Sequence, residues 1–339
     1  MDKTSSQAFV YAKASGILGK SFINDKVSNL FEVKSLSELW TLLFKSQVPA
    51  LPEKLLAEEI EKEAFKRFIN QYVNFISSFD SLKGSEEILL NVLYIYESEN
   101  LKEIADSLCA NEIEMPSIID LGQYNRLNYS AWPDIKSITE KSPYKWLNSM
   151  PGIHEKQKIE YKIDLQTVAD LWASLEKTRG QDRKALFELY ENEYVIKNIV
   201  WALRLKIFYK MKDDEILKNL IYVKEAGNPE DPLLSPVLKI LNKEVDSYQD
   251  WEDWKYSDLI NPHVSGEVWS IDPNWIEKSN RVKMDKLAMR IFHQNNMSTA
   301  SLVAWFKIKS FELSCIRTAV ESFRLGIDSS QALDLLGIN

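Results

Sequence analysis

Few residues in this 339-residue chain have the type and spacing that chemistry demands. The sharpest motif is Ala14-Ser15-Gly16-Ile17-Leu18-Gly19-Lys20-Ser21, the tail of a phosphate-binding loop with Ala where the first glycine belongs. That chemistry needs a strand delivering a glycine-rich turn into a helix N-terminus, so that backbone N–H groups surround the phosphates. Only the short stretch Phe9 to Lys13 precedes the motif, and no parallel-sheet pattern follows it. It reads as a helix followed by a loop. Asp213-Asp214-Glu215 could hold magnesium for diphosphate chemistry, but the third acid belongs where Leu217 and Lys218 stand. That segment reads as a charged turn after a helix ending near Lys210 to Lys212.

The remaining reactive types are sparse. His154, His263 and His293 lie far apart, which leaves no triad and no histidine-based metal site. His293 follows Met289-Arg290-Ile291-Phe292 and reads as a satisfied structural histidine. Cys109 and Cys315 cannot build a disulfide framework; they fit a reducing compartment or indifference to redox state, and read as small buried hydrophobes. Glu97, Asn100 and Asn198 are polar groups on helices that otherwise face a core. They read as buried residues whose hydrogen bonds fix register and satisfy nearby backbone.

The elements that must position these groups are helical. Apolar residues at Leu56, Ile60, Ala64, Phe65, Phe68, Tyr72, Phe75 and Ile76 predict a helix from Pro52 to Phe79 with one buried stripe. Further helices are predicted from Glu86 to about Ala110 and from Arg183 to about Lys212. Another is predicted from Ser298 as N-cap to Gly326 as a left-handed C-terminal stop. Asp328 should cap a short final helix, Ser329 to Leu336. Period-2 runs are nearly absent, so the fold class is all-α. With only 10 glycines, a doubly wound sheet with phosphate loops is disfavoured. Pro-punctuated breaks at Met115 to His154, Gly227 to Pro236 and Asn261 to Trp275 divide the chain into similar thirds. These are helical domains 1–115, 116–225 and 226–339.

Charge narrows the function classes. A net charge of −8 argues against a phosphate-backbone binder. From Glu225 to Lys278 there are 12 acids against 4 bases, so this stretch carries the whole imbalance. It also holds Trp251, Trp254, Trp269 and Trp275. Trp251, Glu252, Asp253, Trp254 and Asp258 are therefore candidate partner contacts, with a locally packed loop and a solvated rim as the equal alternative. The stretch Met1 to Phe9 lacks the apolar core of a signal peptide, and no apolar run reaches the length of a membrane span.

Order and spacing across the thirds carry a resemblance. Tyr11-Ala-Lys-Ala-Ser opens the chain; Glu97-Ser-Glu-Asn-Leu-Lys-Glu-Ile, then Asp120-Leu-Gly122, follow in the first third. The second third has Glu193 through Asn198-Ile199 to Leu203-Arg204-Leu-Lys206; the third has Glu312 through Ile316-Arg317 and Arg324-Leu-Gly326. The chain resembles the C-type stalk component of archaeal and bacterial V/A-type rotary ATPases, the counterpart of the d component of the vacuolar ATPase. It departs at Val195, where the second repeat often has an acid, and at Cys315, which replaces the Asn of the third.

The resemblance implies a three-domain helical funnel with pseudo-threefold symmetry and no catalytic residue, metal or cofactor. It would sit on the cytoplasmic face, joining the central shaft of the ATP-hydrolysing head to the membrane proteolipid ring. Nucleic acid is not implied as a partner, and membrane contact would come only through the ring. Glu97, Asn100, Asn198, Glu312 and Arg317 would be structural signature residues. An unrelated helical scaffold, or an all-α prenyl-chain cyclase, remains the competing reading.

Overall fold

The computed structural model describes residues 3–79 and 86–338, and among these no strand is found. The longer helices are α1 (Lys3–Leu18), α2 (Leu36–Phe44), α3 (Glu53–Phe79), α4 (Glu86–Cys109), α5 (Lys156–Lys177), α6 (Gly180–Ile207), α7 (Pro273–Gln294), α8 (Thr299–Leu325) and α9 (Ser329–Leu336). The expected all-α class is the observed one. The chain forms two compact units. One comprises Met1–Ser81, Lys184–Ile196 and Lys243–Asn339; the other comprises Leu82–Arg183 and Lys197–Asn242. These limits do not follow residues 115 and 225, the limits of the thirds.

Helix ends follow local chemistry. The Ser298 side chain accepts from Ser301 N–H at the start of α8, and Gly326 stops that helix at φ 65°. Asp328 caps α9 by accepting from Ser330 and Gln331 N–H. At α2, Ser35 accepts from Glu38 N–H while Glu38 Oε2 accepts from Lys34 N–H, so two orphan donors are satisfied together. α6 departs from the expected span. It starts at Gly180 and ends at Ile207, because Lys210 adopts φ 51° and breaks the helix. A separate short helix, Asp213–Leu217, then carries the acidic trio. α5 and α7 have no counterpart among the predicted helices.

In the first unit α3 packs on α8, α8 on α7, and α1 on α3. Their interface is an aromatic slab. Tyr72 lies 4.6 Å from Phe306 and Phe75 lies 4.8 Å from Trp305, all fully or nearly fully buried. Edge-to-face pairs of this kind add about 0.5–1.5 kcal/mol each beyond area burial and leave little room for bending. In the second unit α4 packs along α5, with Leu101, Ile104 and Leu108 facing Ile159 and Ile163. Leu127, Ile135, Ile138 and Tyr144, from the connection before α5, close that core. The connection contains 3-10 turns and one short helix, Ile135–Thr139, in keeping with a segment too long to be a structureless loop.

Candidate functional site

The polar residues on core-facing helices form clamps on connecting backbone. Asn100 of α4 donates through Nδ2 to Ile119 O and accepts through Oδ1 from Ile119 N–H, both at 2.7 Å. Its Nδ2 also reaches Tyr129 Oη at 2.8 Å. One turn earlier, fully buried Glu97 accepts through Oε1 from Arg126 N–H at 2.5 Å and Leu127 N–H at 3.1 Å. Its Oε2 accepts from Arg126 Nε at 2.6 Å. The guanidinium lies over the Tyr94 ring at 3.5 Å, so a buried carboxylate has both charge and hydrogen-bond compensation. Burial pushes the Tyr94 and Tyr129 hydroxyls up, so both stay neutral beside the pair. In the same connection Asp120 Oδ1 accepts from Asn125 Nδ2 and Gly122 N–H, and these bonds hold its carboxyl below the usual range.

The second third repeats half of this device. Asn198 of α6 donates to Ile221 O at 2.7 Å and accepts from Ile221 N–H at 3.0 Å, with a second donation to Leu233 O. Three residues before it stands Val195, apolar and buried, which cannot clamp anything. The acceptor comes from the connection itself. Fully buried Asp231 takes Leu233 and Leu234 N–H on Oδ1, and Val223 and Lys224 N–H on Oδ2. Sequence reasoning missed Asp231, although its setting, Asn228-Pro-Glu-Asp-Pro232, is a strong turn signal.

The last third keeps the carboxylate and loses the amide. Glu312 of α8 accepts from Phe22 N–H at 2.7 Å through Oε1, while Oε2 is held by Lys309 Nζ. Lys309 also reaches Ser21 Oγ at 2.9 Å. The clamped backbone here lies near the start of the chain, 290 residues away. Cys315 occupies the amide's place as a buried thiol whose pKa is raised by burial, so it acts as an inert hydrophobe. Arg317 is different: its side chain is 72% exposed and pairs with Glu61 at 3.2 Å. It belongs to the surface rather than to a clamp.

The acidic stretch separates its aromatic and charged residues. Trp251 is fully buried, donates from Nε1 to Glu244 O at 2.8 Å, and meets buried Trp254 edge-on at 5.2 Å. The indoles therefore hold the segment together and are not presented to a partner. Glu252, Asp253 and Asp258 stand exposed beside them, Asp258 pairing with Lys283 at 2.7 Å.

Other sequence candidates resolve plainly. Gly19, Lys20 and Ser21 spend their N–H groups on Ser15, Ile17 and Leu18 carbonyls, so no phosphate cradle exists there. His293, read as a satisfied structural histidine, is exposed and lies edge-on to Phe292. Cys109 is only half-buried, with Sγ near the Pro151 and Gly152 carbonyls. Among the described residues no cluster of His, Cys, Asp or Glu could hold a metal ion, and no helix is long and apolar enough to cross a membrane.

Comparison with known proteins gives the arrangement its context. A protein of Treponema pallidum (strain Nichols), described only as uncharacterized, is 23% identical over 337 residues, spanning 99% of this chain and 98% of that protein. The sequence model of the ATP synthase (C/AC39) subunit matches residues 8–335. That match includes every clamp residue from Ser21 to Glu312, and the chain belongs to the ATP synthase C/AC39 subunit family.

Proposed function

We propose that this chain is a non-catalytic central-stalk subunit of a V/A-type rotary ATPase, joining the shaft of the nucleotide-hydrolysing head to the proteolipid ring. The single observation that carries this reading is the family match across residues 8–335. In this role the chain sits on the cytoplasmic face and meets the membrane only through the ring. It performs no bond chemistry. It transmits torque as ions, H+ or Na+, cross elsewhere in the complex.

The physical demand on such a part is stiffness, and two features support it. Long helices bury large aromatic and aliphatic side chains against one another, and close-packed interiors of this kind transmit strain. The connections between them are pinned by buried Glu97, Asn100, Asn198, Asp231 and Glu312 rather than left free. The thirds 1–115, 116–225 and 226–339 are proposed as similar parts of a funnel with pseudo-threefold symmetry, each contributing a helix that clamps backbone beyond it. Glu252, Asp253 and Asp258 are proposed as a charged contact for a basic surface of a neighbouring protein in the complex.

The test is depletion and add-back. Membrane vesicles stripped of this protein should retain ATP hydrolysis by the head and lose ATP-driven ion transport, and the purified chain should restore transport. Transport that persists without the chain would refute the coupling role.

A further inference from the structure

The Gly-Lys-Ser turn that fails as a phosphate loop has another setting. It forms one wall of a half-open cavity of about 210 Å³ inside the first unit, where the α1 exit meets α2, α3 and α8. The floor is apolar: Phe22, Phe44, Phe68 and Ile316 contribute ring and branched-chain surface. The walls carry three cations, Lys20, Arg67 and Lys309, against a single acid, Glu312.

The bonding of these groups says what would fit. Glu312 is already committed to Phe22 N–H and Lys309, so the one negative charge is neutralised internally. The Arg67 guanidinium carbon lies 4.6 Å from the Phe44 ring centre and its Nε pairs with Glu63, which leaves its terminal nitrogens as donors. Lys20 is exposed and makes no ion pair among the described residues.

From this juxtaposition we propose that the cavity binds a small organic anion, a phosphate or carboxylate group carried on a compact apolar body. The anionic end is placed against Lys20 and Arg67, which line the cavity and offer a point charge and a guanidinium fork. The apolar body rests on Phe44 and Phe68, where stacking and burial are available. The volume is below the usual range of about 300–1,000 Å³ for ligand pockets, so the ligand is smaller than a nucleotide. Because the cavity is built from α1, α2, α3 and α8, a bound anion would tie the Phe22 clamp to the α3 surface. The proposal is independent of the rotary role, since every residue it uses belongs to one unit.

Phenyl phosphate is the probe, measured on the full chain by titration calorimetry and ligand-detected NMR. Inorganic phosphate and benzyl alcohol serve as the two half-ligands. Saturable binding of phenyl phosphate at least tenfold tighter than either half-ligand is expected. Lys20→Glu, at an exposed position whose change leaves folding intact, should weaken it by tenfold or more. Three results would overturn the proposal: no saturable binding, equal binding of inorganic phosphate, or phenyl phosphate affinity unchanged by Lys20→Glu in a chain with unaltered circular dichroism.

Discussion

Glu97 offers a quantitative test of the clamps. Glu97→Ala deletes a fully buried carboxylate that takes two backbone N–H groups and one guanidinium N–H. Each orphaned backbone donor costs about 1–3 kcal/mol. Breaking a buried ion pair from one side costs about 3–5 kcal/mol, because the other charge remains. The Arg126 guanidinium keeps its place over Tyr94 and is only 19% exposed, so it cannot fully rehydrate. These terms overlap, and a loss of about 3–5 kcal/mol from the second unit is expected. Glu97→Gln keeps an acceptor for the two N–H groups but faces Arg126 with a neutral amide, so about 1.5–3 kcal/mol should be lost. Native-state hydrogen exchange is the assay, since two units need not unfold as one. The Arg126 and Leu127 amides should lose most of their protection in Glu97→Ala, while the Phe22 amide held by Glu312 in the other unit is unchanged. A loss below about 1 kcal/mol, or protection retained at Leu127, would refute the clamp as the element that fixes this connection.

Asp285 should behave in the opposite sense. Burial raises its carboxyl to about 6, and its Oδ1 has no partner. The folded value lies above the unfolded one, so ionisation penalises the native state. Stability is lost as pH rises from about 4 to about 6, and the penalty is constant above that. Asp285→Asn should therefore stabilise by up to about 3 kcal/mol at pH 7 and by almost nothing at pH 3. Urea midpoints across pH check this, and a gain independent of pH would contradict it. Both Gly326 and Gly337 stop helices at positive φ, so alanine should cost about 1 kcal/mol at Gly326. At Gly337 the cost should be larger, because a Cβ would lie 2.7 Å from Val282 Cγ2; equal thermal shifts for the two variants would contradict this. Reversing Glu252, Asp253 and Asp258 to Lys should leave the melting temperature nearly unchanged, because all three are exposed. It should also weaken assembly with the shaft and ring; assembly that survives at raised salt would rule this surface out as a contact.

Helices with a clean apolar stripe and recognisable caps are legible in the sequence. The span of α3, the Ser298 cap, the Gly326 stop and the Asp328 cap all follow from local rules. α6 begins and ends earlier than its sequence suggests, because Gly180 starts it and a left-handed lysine, not a glycine, follows its end. α7 is hard to read because a long polar stretch separates its buried first turn, Pro273 and Ile276, from Leu287, Ala288, Ile291 and Phe292. α5 does carry a readable stripe through Ile159, Ile163, Leu171 and Leu175, hidden only by the proline-rich connection before it.

The candidate site is legible in part for a similar reason. Glu97, Asn100 and Asn198 stand out as polar residues on core faces, which is a local signal. What they grip is not local: Ile119, Ile221 and Arg126 lie 19–29 residues away, and Phe22 lies at the far end from Glu312. Whether a tryptophan in an acidic stretch turns in or out is likewise decided by packing. Trp251 finds a carbonyl acceptor and an indole partner inside, and composition cannot show that.

Membership of a working rotary complex is tested most directly by purifying the tagged chain from its native membranes in mild detergent. The eluate is then analysed by cross-linking and mass spectrometry. The expected result is co-elution with the nucleotide-hydrolysing head, the shaft and the proteolipid ring, and cross-links from this chain to both shaft and ring. A chain that elutes free of those components, or with an unrelated assembly, would contradict the rotary role.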